Sequence, residues 1–396
     1  MIADVHRELT ARRADYPMLA GTTYLANHAL GAMHRDVPQR LADYAELWAT
    51  RGALAWDTWQ PELHRVADLV GATVGAPAGT TVLRQSVADL VGAFASCLDL
   101  SGRRNRIVYA DEVEWPGSHY LWREQARVGA DVVSVPISND GGITLDEQRL
   151  VDAIDGRTAL VYVSAVLFRT STIIDVAPIV AKAHAAGAFV VLDAYQAAGA
   201  LPLDVVALDV DACVGGSMKY LCGGPGAGWM YVAPRLSEVL RPSQVGWFGH
   251  AHPFEFAFAD IDYAEGVQRF AGGTPGVPAA YAAGPGASAL LEVGLAQVRE
   301  RSVSLTQPLV EAALERGWQV NSPVDPARRG GHVSIDPGDS ERVCDTLIAQ
   351  GIAVDHLPGV GLRAGPHFFT EAAEVEAFLA AVAAAAPTPR TLRAQN

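Results

Sequence analysis

The chain has 396 residues, half of them hydrophobic, with 38 glycines, 23 prolines and a formal net charge of −14 at pH 7. That length predicts two domains around a large core. The acidic balance argues against a nucleic-acid backbone or an anionic membrane as partner. Residues 1–19 are charged and mixed with no apolar h-region, and the apolar run over 377–386 is too short to span a bilayer. Four scattered cysteines, Cys97, Cys213, Cys222 and Cys344, lack CxxC spacing. They fit a reducing cytoplasm, with neither a disulfide framework nor a zinc site.

In chain order, Arg84-Gln85-Ser86-Val87-Ala88-Asp89 opens an apolar helix carrying Leu90, Val91 and Phe94. The pattern predicts a strand over 106–110, a helix over 117–130, and strands over 130–136 and 159–164. Helical spacing marks 176–186, an apolar strand over 188–193 ends in Asp193, and a short strand follows over 211–215. Such alternation predicts an α/β fold with a mostly parallel sheet covered on both faces. Ligands then sit at the carboxyl ends of the strands. Asp193 and Lys219 each follow such an end, so both are expected to face one crevice. Farther on, helices over 287–303, 309–316 and 340–351 surround a short strand at 331–335. The chain is therefore divided into an N-terminal arm (1–18), a large domain (19–285) and a smaller C-terminal α+β domain (286–396).

Of the 30 lysines and arginines, only Lys182 and Lys219 are lysines. Lys219 lies in Gly215-Gly216-Ser217-Met218-Lys219-Tyr220-Leu221-Cys222-Gly223-Gly224-Pro225-Gly226. An ε-amine can lose its proton and attack a carbonyl; a guanidinium cannot. A lysine kept in an arginine-biased chain points to a Schiff-base residue and to pyridoxal 5′-phosphate (PLP). A leftover surface cation is the competing reading. Asp193, in Val190-Val191-Leu192-Asp193-Ala194-Tyr195-Gln196, is a carboxylate at the end of an apolar strand and needs a partner. A protonated pyridine nitrogen would serve, as would a role as helix or turn cap. Gln196 could hydrogen-bond the phenolic oxygen of the cofactor. A phosphate needs donors at a helix N-terminus, which Gln85 and Ser86 flank; Ser86 could equally be an ordinary cap. Ser217 could add a hydroxyl donor. Trp115, in a loop after a strand, could stack on a planar ring. Arg363 sits on a short apolar strand, where a bidentate receptor for an α-carboxylate is the alternative to an edge-strand cation reaching solvent.

With these residues in place, the sequence resembles the kynureninase-like branch of the class V aminotransferases, which are fold type I PLP enzymes. The likeness runs through Tyr24-Leu25-Ala26-Asn27-His28-Ala29-Leu30-Gly31, Trp48-Ala49-Thr50-Arg51-Gly52, Trp115-Pro116 and the Asp193 and Lys219 motifs. It continues through Val245-Gly246-Trp247-Phe248-Gly249-His250, Arg269-Phe270-Ala271-Gly272-Gly273-Thr274-Pro275 and Leu362-Arg363-Ala364-Gly365-Pro366. The resemblance implies a homodimer with interface sites, in which Trp247 and Thr274 reach the phosphate of the neighbouring subunit. It implies Lys219 as cofactor carrier and proton shuttle and Arg363 as carboxylate receptor. His28, His250 and Tyr263 are candidate substrate-side groups, each equally readable as a structural polar residue. The implied reaction is hydrolysis of kynurenine to anthranilate and alanine by Cβ–Cγ cleavage.

This sequence departs from that pattern at two places. Gln196 stands where kynureninases carry His; a Gln at this position instead looks like cysteine desulfurases, although their catalytic Cys-bearing loop is not evident. Met218 stands where they carry a Tyr whose hydroxyl binds phosphate and moves protons, neither of which Met can do. Transamination and racemisation need only the carbanion and its reprotonation at another face or atom and remain as alternatives, as does C–S lysis on the same scaffold. A non-catalytic partner protein on the same fold is a more distant one. A nicotinamide dehydrogenase is disfavoured, because residues 223–228 lack the strand–GxGxxG–helix context.

Overall fold

The computed structural model describes residues 9–387. The first eight residues of the expected N-terminal arm and the last nine of the small domain lie outside it. The centre is a seven-stranded sheet of β1 (Thr81–Arg84), β2 (Arg106–Ala110), β3 (Asp131–Val135), β4 (Thr158–Ser164), β5 (Phe189–Asp193), β6 (Ala212–Gly216) and β7 (Gly228–Val232), in the order β1-β7-β6-β5-β4-β2-β3. The pairs from β6 through β5, β4 and β2 to β3 are parallel. Only β7 runs antiparallel to its neighbours β6 and β1.

Burial on both faces explains why the strands read as continuous apolar runs. Alternate side chains enter different cores. Val161, Val163, Val190 and Leu192 pack into one cluster. Leu160, Tyr162, Val191 and Val214 pack into the other, against Val91 and Phe94 of helix Val87–Ala95 and Trp122 of helix Pro116–Glu124. By the same period, Tyr162, Ser164 and Asp193 share that second face, with Ser164 and Asp193 directly paired across β4 and β5. This is the constraint that builds the site described below.

The small domain has its own core around Leu309, Val333, Ile335, Leu347, Leu362 and Phe378. Its sheet comprises β8 (Gln319–Val320), β9 (Val333–Asp336), β10 (Asp355–Leu357) and β11 (Gly361–Ala364), in the order β10-β11-β9-β8. The N-terminal segment joins it through Thr23–Tyr24, which pairs in parallel with Ile352–Ala353.

Three expected helices are redrawn. The run expected over 287–303 is two helices, Val277–Val293 and Leu295–Glu315, split at Gly294, where φ is +84°. The second absorbs the stretch expected at 309–316. The first packs on helices Val37–Arg51 and Trp56–Ala72, and the boundary placed at 285 falls inside it. The helix expected over 117–130 ends at Glu124 and continues as a short 3₁₀ turn to Gly129, where φ is +102°. Among the described residues no helix is long and apolar enough to cross a membrane, and no cluster of His, Cys, Asp and Glu could hold a metal ion.

Candidate active site

The ends of β4, β5 and β6 open on a cavity of about 380 Å³. Lys219, Asp193, Gln196, Trp115, Gln85 and Ser86 all line it, as do Ser164, Phe168, Tyr195 and Met218.

Asp193 is 6% exposed, with both oxygens held. The Tyr162 hydroxyl donates to Oδ2 at 2.6 Å and the Tyr195 N–H to Oδ1 at 2.8 Å. The Ser118 hydroxyl lies 2.8 Å from that of Tyr162, fixing the phenol in turn. Burial pushes the Asp193 carboxyl up, while these hydrogen bonds and the charge of Lys219 pull it back. A cation presented in the cavity would complete the compensation.

Lys219 follows β6 by three residues, in a turn whose Met218 carbonyl accepts from the Gly31 N–H at 2.7 Å. Its Nζ lies 4.6 Å from the centroid of the Tyr195 ring and 5.7 Å from that of Trp115. Burial holds the ammonium down to about 8, against the opposing pull of Asp193. The free amine, the form that attacks a carbonyl, is therefore far more accessible near neutral pH than in an exposed lysine.

Helix Val87–Ala95 points its N-terminus at the cavity. Its first N–H groups have no partner within the helix. Ser86 Oγ accepts that of Asp89 at 3.2 Å, leaving those of Val87 and Ala88, both on the cavity wall, for an anion. The Ser86 hydroxyl proton itself is given to Asp89 Oδ2 at 2.8 Å, so its side chain acts as a cap and not as a free donor. β7 closes on this turn through Gly228, where an added Cβ would stand 2.7 Å from the Ser86 carbonyl carbon.

The cavity thus combines an amine, a fixed carboxylate, a helix N-terminus and an indole, the set that fits PLP. Gln196 gives its Nε2 to the His28 carbonyl at 3.1 Å, which leaves Oε1 buried and unpartnered at the cavity. In this orientation the spare atom accepts, and a phenolate partner would require the amide turned over.

Other expected residues are placed differently. The Ser217 hydroxyl is spent on the Ala227 carbonyl at 2.9 Å and does not reach the cavity. Arg363 does not line the cavity either, and its guanidinium is already paired with Asp355 and the Phe168 carbonyl. His28 is buried behind Gln196, with Nε2 2.9 Å from Asp355 Oδ1. Burial pushes its imidazole down to about 4, against the opposing pull of its hydrogen bond to Asp355. His250 and Tyr263 bridge each other beside a second cavity of about 460 Å³, away from Lys219, and the Tyr263 hydroxyl donates to the Pro242 carbonyl. Trp247 Nε1 donates to Thr274 Oγ1 at 3.1 Å, and both lie outside the Lys219 cavity. Their loops are tied to its edge by Arg84, which donates to the carbonyls of Phe270 and Gln244.

Sequence reasoning passed over Tyr162, Ser164, Tyr195, Glu114 and Asp355. A tyrosine two residues before the end of an apolar central strand needs a partner for its hydroxyl, and that was the available signal for Tyr162. Glu114, 3% exposed, accepts from the Ser164 N–H at 2.9 Å and bonds the Ser164 hydroxyl. Burial pushes its carboxyl up to about 8; the Ser164 bonds oppose this and the charge of Asp193 adds to it.

Comparison with known proteins agrees with this architecture. Residues 54–377 match the family Aminotransferase class-V. A kynureninase from Deinococcus radiodurans is 32% identical over 376 residues, covering 91% of this chain and 89% of that protein. An uncharacterized aminotransferase from Bacillus subtilis is 28% identical over 378 residues, covering 93% and 96%. Among solved structures, the cystine C–S lyase C-DES in complex with cysteine persulfide superposes with a TM-score of 0.83 at 20% identity, over 94% of this chain and 100% of that one. The cysteine desulfurase CsdA from Escherichia coli superposes with a TM-score of 0.81 at 22% identity, over 95% and 98%. These structural likenesses establish the fold.

Two predictions follow from the geometry. Gly228→Ala forces the start of helix Val87–Ala95 back and should weaken PLP binding roughly tenfold or more, about 1.4 kcal/mol, by equilibrium titration. Gly156→Ala, with nothing within 4 Å of an added Cβ, should leave it unchanged. Glu114 keeps inside the fold a proton that the unfolded chain releases near its ordinary value of 4.5. Its contribution to stability is therefore full below that pH and is lost as pH rises toward about 8. Glu114→Gln should flatten the fall in thermal midpoint between about pH 5 and about pH 8.

Proposed function

The chain belongs to the aminotransferase class V family, and from that premise we propose that it is a PLP-dependent enzyme in which Lys219 carries the cofactor and moves the Cα proton of an L-amino acid. The observation that carries this reading is the presence of Lys219 and Asp193 on one cavity wall beside a helix N-terminus. PLP, when bound, supplies an electron sink for the charge that develops at Cα. Lys219 Nζ takes the proton from Cα and returns it, a task suited to an amine whose proton affinity burial has lowered toward the working pH. Asp193, fixed by Tyr162 and the Tyr195 N–H, holds a proton on the pyridine nitrogen. The N–H groups of Val87 and Ala88 would hold the phosphate, and Trp115 on the cavity wall would offer a face for the ring. Arg363 receives the substrate carboxylate from behind Phe168.

Among the reactions open to such a site, cleavage of a bond at Cβ is our first choice. The likeness to kynureninases over nearly the whole of both chains supports it. In this reading the protein is a cytoplasmic homodimer, with Trp247 and the exposed Thr274 of each subunit reaching the phosphate of the other. Their position outside the cavity of their own chain supports that role. A second reading, transamination or racemisation, is favoured by Met218, which lines the cavity and brings no hydroxyl to a further proton step. A desulfurase using a cysteine nucleophile finds no support, since no cysteine lines the cavity among the described residues.

The test is a titration of the PLP-loaded protein with L-kynurenine and 3-hydroxykynurenine, reading visible absorbance and the fluorescence of anthranilate. Anthranilate with equimolar alanine is expected from kynurenine, and Lys219→Ala should lower its rate by roughly a thousandfold or more. A spectral response without anthranilate would overturn the cleavage assignment. A keto acid or a D-amino acid among the products would establish the second reading.

A further inference from the structure

The small domain sets a carboxylate directly opposite Arg363. β10 and β11 run antiparallel with Asp355 and Arg363 in register, so the two side chains share one face of the hairpin. Arg363 Nε donates to Asp355 Oδ1 at 2.9 Å and Nη2 donates to Oδ2, filling the side-on edge of the guanidinium. Nη1 donates to the Phe168 carbonyl at 2.8 Å. The fork has five N–H groups, so the end formed by Nη1 and Nη2 keeps donors to spare.

Asp355 is itself held from a second side, its Oδ1 lying 2.9 Å from His28 Nε2. Burial alone would push this carboxyl up; His28 and Arg363 together outweigh it and hold it well below the usual carboxylate range. His28 is in turn tied to the cavity by Gln196, and Arg363 by Phe168, whose ring meets Trp115 edge-on at 5.1 Å. Among the residues lining the cavity, Lys219 is the only cation.

We propose that Asp355 is a positioning and specificity residue: it locks Arg363 side-on and makes the carboxylate receptor a net-neutral pair, so the site takes amino acids bearing one carboxylate and rejects those bearing a second. The α-carboxylate then meets the remaining end of the guanidinium in a fixed orientation. A second carboxylate would enter a cavity that already holds Asp193 and whose single lining cation, Lys219, is the amine that carries the cofactor, so no further cation would receive it, and an unpaired buried charge is costly. The cross-strand register places Asp355 opposite Arg363, and His28 and Arg363 hold its carboxylate from two sides.

This inference rests on the reading that Arg363 receives the carboxylate of an amino acid bound at Lys219. The experiment uses PLP-loaded protein and measures dissociation constants for L-alanine and L-aspartate from the change in visible absorbance. The wild type should favour L-alanine by roughly tenfold or more. Asp355→Asn should weaken L-alanine binding and shrink that preference severalfold, while Asp355→Glu, which keeps the charge, should retain most of it. A preference unchanged in Asp355→Asn overturns the inference. So does a wild type that binds both amino acids equally, a result that needs no variant to fold. If the wild type does not load PLP on Lys219, the functional reading fails, and this inference fails with it. Loading with an unchanged preference defeats the specificity role alone.

Discussion

A carboxylate buried at the end of a central strand has to be compensated, and the arrangement around Asp193 is a response to that single requirement. β5 carries it there because a strand covered on both faces alternates its side chains between two cores. The position after Leu192 therefore faces the same side as Tyr162 and Ser164. Tyr162 and the Tyr195 N–H supply neutral donors, and Lys219 supplies a cation whose own charge burial discourages. Glu114, close enough to feel the charge of Asp193, is held toward its neutral form chiefly by burial and further by that charge. One negative charge is thus maintained where two acids stand. A protonated pyridine ring is the partner that this asymmetry calls for.

The constraint reaches the surrounding elements. Tyr195 can lie against β6 because Gly216 has no side chain; an added Cβ there would stand 2.3 Å from the Tyr195 hydroxyl. The same ring lies under Lys219 Nζ. Gly31 is equally confined, since its added Cβ would fall 2.1 Å from the Lys219 carbonyl oxygen. The N-terminal segment is therefore part of the wall behind the lysine. It brings His28 to Gln196 and Asp355, and so links the large-domain cavity to the β10–β11 hairpin of the small domain.

Much of this was legible in the sequence, for physical reasons that can be named. The apolar runs ending at Ser164 and Asp193 marked buried parallel strands, and strand ends mark ligand crevices in such sheets. A lysine retained among arginines marked the amine. What could not be read depended on partners distant in sequence. Ser217 has a suitable hydroxyl, but the carbonyl that takes it belongs to Ala227. Arg363 was legible as a cation misplaced in an apolar strand, whereas its neutralisation by Asp355 depends on hairpin register. His250 lies in a motif of the family resemblance, yet it bridges Tyr263 beside a different cavity. The helix expected across 287–303 failed at Gly294, whose left-handed backbone ends one helix where the apolar pattern runs on.

We propose that Lys219 is the cofactor-bearing amine and that its burial beside Asp193 makes it so. Borohydride reduction of the PLP-treated protein, followed by peptide mass mapping, tests it directly. The chain offers its own control in Lys182, the only other lysine and an exposed one. The reduced cofactor mass is expected on the peptide containing Lys219 and not on that containing Lys182. Label on Lys182 alone, or on neither lysine, would contradict it.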